Sequence, residues 1–148
     1  MGRKAKRILI ILCLVFLVYN LLWLTVVGAI YAPLITGMKE VHPLRTYAID
    51  ELDGYTYNVK IPDYLQFVGN LGVQPSCGGE CALIIWPGIL GETRYGVLIP
   101  VGGGLQGVRV NANGQPLPGA EEEKRLLIEQ NRDAIDELFR RAREVWDY

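Results

Sequence analysis

Two thiols stand close together in Pro75-Ser76-Cys77-Gly78-Gly79-Glu80-Cys81-Ala82. Cysteines at such a spacing can form a redox catalyst, half of a metal site or a disulfide staple. A thiol oxidoreductase places two residues between its cysteines and sets the first at a helix N-terminus that lowers its pKa. Here three residues intervene, Glu80 opposes thiolate formation, and Ala82-Leu83-Ile84-Ile85-Trp86 follows as a strand-like apolar run. A zinc site lacks ligands, because His42 is the only histidine and Cys13, the third cysteine, lies inside an apolar segment. No metal or cofactor is expected. The expectation is a Cys77–Cys81 disulfide closing a small ring, which in the chain-entropy model contributes only about 2 kcal/mol.

Other reactive types are sparse. Ser76 is the only serine, and His42 is separated from it by a whole strand, so no Ser/His/acid arrangement is suggested. The carboxylates gather at Asp50, Glu51 and Asp53, beside a turn, and at Glu121 to Glu123, where a helix should start. Both are common solvated placements. Gly102-Gly103-Gly104 is followed by strand-like residues instead of a helix N-terminus, so it reads as a hairpin turn and not as a phosphate loop.

What must hold these residues divides into a membrane segment and one small domain. Ile8 to Ile35 carries no charge, and fifteen of the twenty residues from Ile8 to Val27 are Leu, Ile, Val or Phe. On an insertion scale those fifteen favour a bilayer by about 5 to 9 kcal/mol, more than Asn20 and Thr25 oppose. Residues 8–35 are therefore expected to be a membrane anchor contacting the lipid bilayer, with Trp23 and Tyr31 near the headgroups. Arg3, Lys4, Lys6 and Arg7 make residues 1–7 a basic tail, and residues 37–148 hold eleven Lys or Arg against sixteen Asp or Glu. The positive-inside rule then puts the N-terminus in the cytoplasm and the C-terminal domain outside the membrane. The rival is a cleavable signal peptide read at Val27-Gly28-Ala29, but its apolar region would be about 7 to 15 residues long, shorter than this one.

Residues 36–46 read as a juxtamembrane linker and 47–148 as the extracytoplasmic domain. Strands are expected at Tyr55 to Ile61, Ala82 to Trp86, Tyr95 to Val101 and Leu105 to Asn111. Tyr64 to Val68 is apolar but too short to assign, and Gln115 to Leu117 could add an edge. Ala120 to Trp146, free of Gly and Pro, predicts one amphipathic helix with acids at its start and Arg140, Arg141 and Arg143 at its end. The fold class expected is α+β: a transmembrane helix, then an antiparallel meander packed against one C-terminal helix.

The helix could also dock a partner through Phe139 and Trp146. The acidic balance of the domain argues against nucleic acid. Two functions remain. The first is a membrane-anchored interaction or accessory module for an envelope protein or polymer. Its contacts are expected in the Pro87 to Arg94 connection, at Ile89, Leu90 and Arg94, against the alternative that Ile89 and Leu90 fold back onto the sheet. The second is an envelope enzyme, with Cys77 and Cys81 as its most visible reactive candidates.

Overall fold

A computed structural model describes residues 2–43, 45–88 and 92–148. Among these the apolar run forms helix α1, Arg3–Tyr31, of 29 residues. At about 1.5 Å per residue it extends for about 43 Å, enough to cross a bilayer. By length and composition it is a candidate span or a signal sequence. Pro33 ends the helix, since it has no N–H to continue the ladder, and Pro33–Ile35 tightens into one 3-10 turn.

The strands that follow are β1 Lys39–His42, β2 Thr46–Leu52, β3 Tyr55–Lys60, β4 Asn70–Pro75, β5 Ala82–Trp86, β6 Arg94–Val101 and β7 Gly104–Val110. They make one antiparallel sheet in sequence order, β1 to β7, as short connections require. The β6–β7 hairpin pairs Val101 with Gly104. Its two loop residues, Gly102 and Gly103, both have positive φ, which a two-residue hairpin of this hand demands. The outer edge of β7 is partly covered by an antiparallel bridge from Val110 to Pro116.

The expected strands at 55–61, 82–86, 95–101 and 105–111 are present within a residue at each end, while β1, β2 and β4 add to them. Residues 36–46 are thus not wholly a linker, because Lys39–His42 is a strand that pairs with β2. Residues 64–68 are neither strand nor helix.

The single C-terminal helix is also corrected: there are two, α2 Glu122–Gln130 and α3 Arg132–Trp146. Asn131 divides them. Its backbone leaves helical geometry (φ −112°, ψ 20°), and its side-chain amide donates to the Leu127 carbonyl at 2.8 Å. A short amide side chain competes in this way with the helix ladder. α3 buries Ile135, Leu138, Phe139, Ala142 and Trp146, one stripe at helical spacing.

The core joins this stripe to the alternating residues of one sheet face, among them Tyr57, Val59, Leu71, Val73, Leu83, Ile85, Val97 and Ile99. The Trp146 ring meets Tyr57 edge to face with centroids 5.8 Å apart, and Phe139 lies 5.5 Å from Tyr95. Arg132 ties the start of α3 to the β7 turn by donating to the carbonyls of Asn113 and Gly114. Gly114 cannot carry a side chain there, since its φ is +69° and a Cβ would approach Ile135 to 3.0 Å.

The core also contains Val27, Tyr31 and Leu34. Tyr31 is 1% exposed, and its hydroxyl accepts the Gly69 N–H at 2.7 Å. Trp23 donates its indole N–H to the Gln66 carbonyl at 2.6 Å. These aromatics therefore bind the domain, where headgroup contacts were expected of them.

Candidate functional site

Aromatic and cationic side chains converge at the end of the sheet where β5 leaves, β6 enters and β7 leaves. The strand register explains how. Trp86 pairs with Arg94 across β5 and β6, and Gly96 pairs with Arg109 across β6 and β7. Successive residues alternate faces, so Trp86, Arg94, Gly96 and Arg109 lie on the face opposite the buried core. A Cβ on Gly96 would come within 3.1 Å of the Trp86 ring, so the glycine makes the space in which the indole rests.

The resulting groove has a volume of about 750 Å³ and includes Trp86, Glu92, Arg94, Tyr95, Arg109 and Leu117 in its walls. Arg94 and Arg109 are both exposed. Neither makes an ion pair among the described residues. Tyr95 borders the groove through its strand, while its ring lies on the core face against Phe139, where burial pushes the phenol above its ordinary pKa against the opposing charge of Arg143. Two guanidiniums beside an indole suit a carboxylate-bearing or hydroxyl-rich ligand through directional hydrogen bonds and stacking.

Of the expected contacts, Arg94 lies in this groove, and Ile89 and Leu90 fall outside the described residues. Arg109 and Trp86 are site residues that sequence reasoning does not single out. Their signal is present in Ile84-Ile85-Trp86 and Tyr95-Gly96-Val97, where a large aromatic faces a strand glycine, but the pairing that unites them is not a local property.

The two cysteines differ in exposure. Cys77 is exposed, Cys81 is buried, and both thiols are free, so the expected staple is not made in this structure. Burial raises the Cys81 pKa and the Glu80 carboxylate raises it further, the opposite of what a nucleophilic thiol requires. Ser76 sits beside the β2–β3 turn, where its N–H donates to the Gly54 carbonyl, and His42 pairs with Thr46 at the other end of β2. The seven residues of β2 separate those ends by about 20 Å. Among the described residues no cluster of three metal-ligating side chains occurs.

The remaining candidates are occupied internally. Phe139 and Trp146 are buried, which removes them as docking anchors. Arg140 pairs with Glu137 and Glu144, while Arg141 bridges Glu137 and Asp53 and lies 5.0 Å over the Tyr55 ring. Comparison of the chain with protein families, with curated proteins and with solved structures finds no match.

Proposed function

We propose that the chain is a single-pass membrane-anchored protein whose C-terminal domain binds an envelope component outside the membrane. The observation that carries the binding reading is the Trp86 groove, with Arg94 and Arg109 free of ion-pair partners among the described residues. The ligand class that this surface favours is an extended acidic peptide or a hydroxylated, acid-bearing polymer of the envelope.

Orientation rests on charge: a basic N-terminal tail without acids precedes α1, and a net acidic domain follows it. Retention of α1 is supported by what the domain packs against. Trp23 and Val27 lie upstream of Ala29, and cleavage there would strip the Gln66 carbonyl of its donor and open the core beside Tyr31. Anchoring confines the groove near the membrane, where weak contacts gain from a high effective concentration.

The test is photo-crosslinking in living cells from position 117, an exposed groove-wall residue that the guanidinium chemistry does not need. The expected result is a discrete adduct that disappears when Arg94→Glu and Arg109→Glu are combined. Absence of any adduct from positions 94 and 117, together with turnover of an envelope substrate by the purified full-length chain, would replace this reading with the enzyme.

A further inference from the structure

The connection from β3 to β4 runs back along α1 instead of staying with the sheet. Tyr64 donates its hydroxyl to the Asn20 carboxamide oxygen at 2.7 Å, and its ring meets Trp23 edge to face at 5.6 Å. Phe67 meets Tyr19 at 6.1 Å, and the Tyr19 hydroxyl donates to the Leu65 carbonyl at 3.4 Å. Trp23 stands sixteen positions after Arg7, the last charge before the apolar run, which is about 24 Å of helix. With Arg7 at one boundary of a hydrocarbon core about 30 Å thick, Trp23 lies about 6 Å inside the other boundary and Tyr19 about 12 Å inside.

We infer that the loop of residues 62–68 is a second membrane element, which enters the leaflet on the domain's side next to α1 and presents Tyr64, Leu65 and Val68 to lipid. The inference rests on the reading of α1 as a retained span. Three independent features support it.

The first is the character of the surface. Tyr64, Leu65 and Val68 are 50%, 57% and 41% exposed, at a level of α1 where Leu21, Leu22 and Leu24 are likewise exposed. A loop turned to water would not gain by displaying three such side chains together.

The second is the treatment of polar groups. Irregular backbone is tolerated at hydrocarbon depth only where protein satisfies it. The Leu65 and Gln66 carbonyls accept from Tyr19 and Trp23, and the Gln66 N–H donates to the Asp63 carbonyl, while the N–H groups of Tyr64, Leu65, Phe67 and Val68 have no protein partner among the described residues and must reach water or headgroups. Asn20, a costly residue within a span, is matched in turn: its amide donates to the Phe16 carbonyl, and its oxygen accepts from Tyr64. The polar interruptions of α1 are thus positioned as partners for the loop.

The third is backbone strain with an orientation. Leu65 has φ +70°, a left-handed conformation that disfavours a branched apolar side chain. It holds the Leu65 carbonyl toward Tyr19 while the side chain stays exposed. At the base of the loop the polarity changes sharply, because Asp63 stands between Arg45 at 3.6 Å and Lys60 at 3.7 Å. A charged collar above a tip that is apolar except for the exposed Gln66 matches the step from headgroups to acyl chains.

The test uses the full-length chain with its three cysteines replaced by serine, reconstituted in phosphatidylcholine and phosphatidylglycerol vesicles. Single nitroxide labels are placed at Leu22, Leu65, Val68 and Leu105, all exposed side chains. Expected is faster collision with oxygen than with a water-soluble nickel chelate at positions 22, 65 and 68, and the reverse at 105. Position 22 in lipid with 65 and 68 in water would overturn the loop inference alone. Position 22 in water would overturn the anchor reading and the loop inference with it. Lipid contact at 105 as well would show general adsorption of the domain and would also overturn the specific insertion.

Discussion

The indole N–H of Trp146 donates to the Leu34 carbonyl at 3.1 Å, joining the last turn of α3 to the segment that leaves α1. Both partners are buried, and the Trp146 ring also meets Tyr57 of β3. One side chain therefore holds three elements together. Trp146→Phe should keep most of the ring packing but leave the Leu34 carbonyl unpaired, lowering stability by about 1 to 3 kcal/mol. Urea unfolding in detergent micelles measures this, and an unchanged midpoint would show that the bond contributes nothing.

The loop contact with α1 can be measured apart from the bilayer question. In a double-mutant cycle, Asn20→Leu and Tyr64→Phe should show a coupling of about 0.6 to 2 kcal/mol, the range found for hydrogen bonds between membrane segments. Additive effects would mean that the two side chains do not interact.

The groove depends on a residue with no side chain. Gly96→Val would drive its Cβ and branches into the Trp86 ring and cost about 1 to 3 kcal/mol as overpacking. The indole should be displaced, shifting tryptophan fluorescence and abolishing the adduct expected from position 117. A variant that folds normally and crosslinks as before would refute the role given to Trp86.

Glu137 should leave a mark on acid stability. The Arg140 guanidinium, and then that of Arg141, hold its carboxyl down to about pKa 2 from an ordinary value of 4.5. Because the folded-state pKa is depressed, the stabilisation is present above about pH 4.5 and is lost as pH falls through about 2. Glu137→Gln should flatten the stability profile in that window. Since Glu137 lies near the surface, salt should weaken the difference.

In reduced, folded protein, a maleimide should modify Cys77 promptly and Cys81 only on unfolding, because the one thiol is exposed and the other is buried with a raised pKa. Rapid native-state modification of Cys81 would restore the thiol-enzyme alternative. The disulfide expected from the sequence is checked separately, by the mass of protein taken from the envelope without reductant.

Local pattern accounts for much of what is legible in the sequence. Ala82–Trp86 is placed to the residue, because an apolar run bounded by Cys81 and Pro87 has few alternatives. α1 declares itself through continuous hydrophobicity. β4 has no such advantage: in Asn70-Leu71-Gly72-Val73-Gln74 a glycine under the Asn58 side chain interrupts the run. The break at Asn131 is hidden because one asparagine within a helical stripe is ordinarily tolerated. Least visible is the loop at residues 64–68, whose partners Tyr19, Asn20 and Trp23 lie more than forty residues earlier in the chain.

The sheet order, β1 through β7 without a crossover, has a consequence for how the chain is made. Synthesis delivers the N-terminus first, and each new strand here finds its neighbour already formed, so pairing can proceed by short loop closures as the chain emerges. The last step spans the greatest distance along the chain. Until residue 146 arrives, the Leu34 carbonyl and the ring of Tyr57 await their partner, and the apolar face of the sheet lacks α3. A nascent chain stalled before Arg132 would therefore display an assembled sheet with an open face, a species that a holdase chaperone would bind and the finished protein would not.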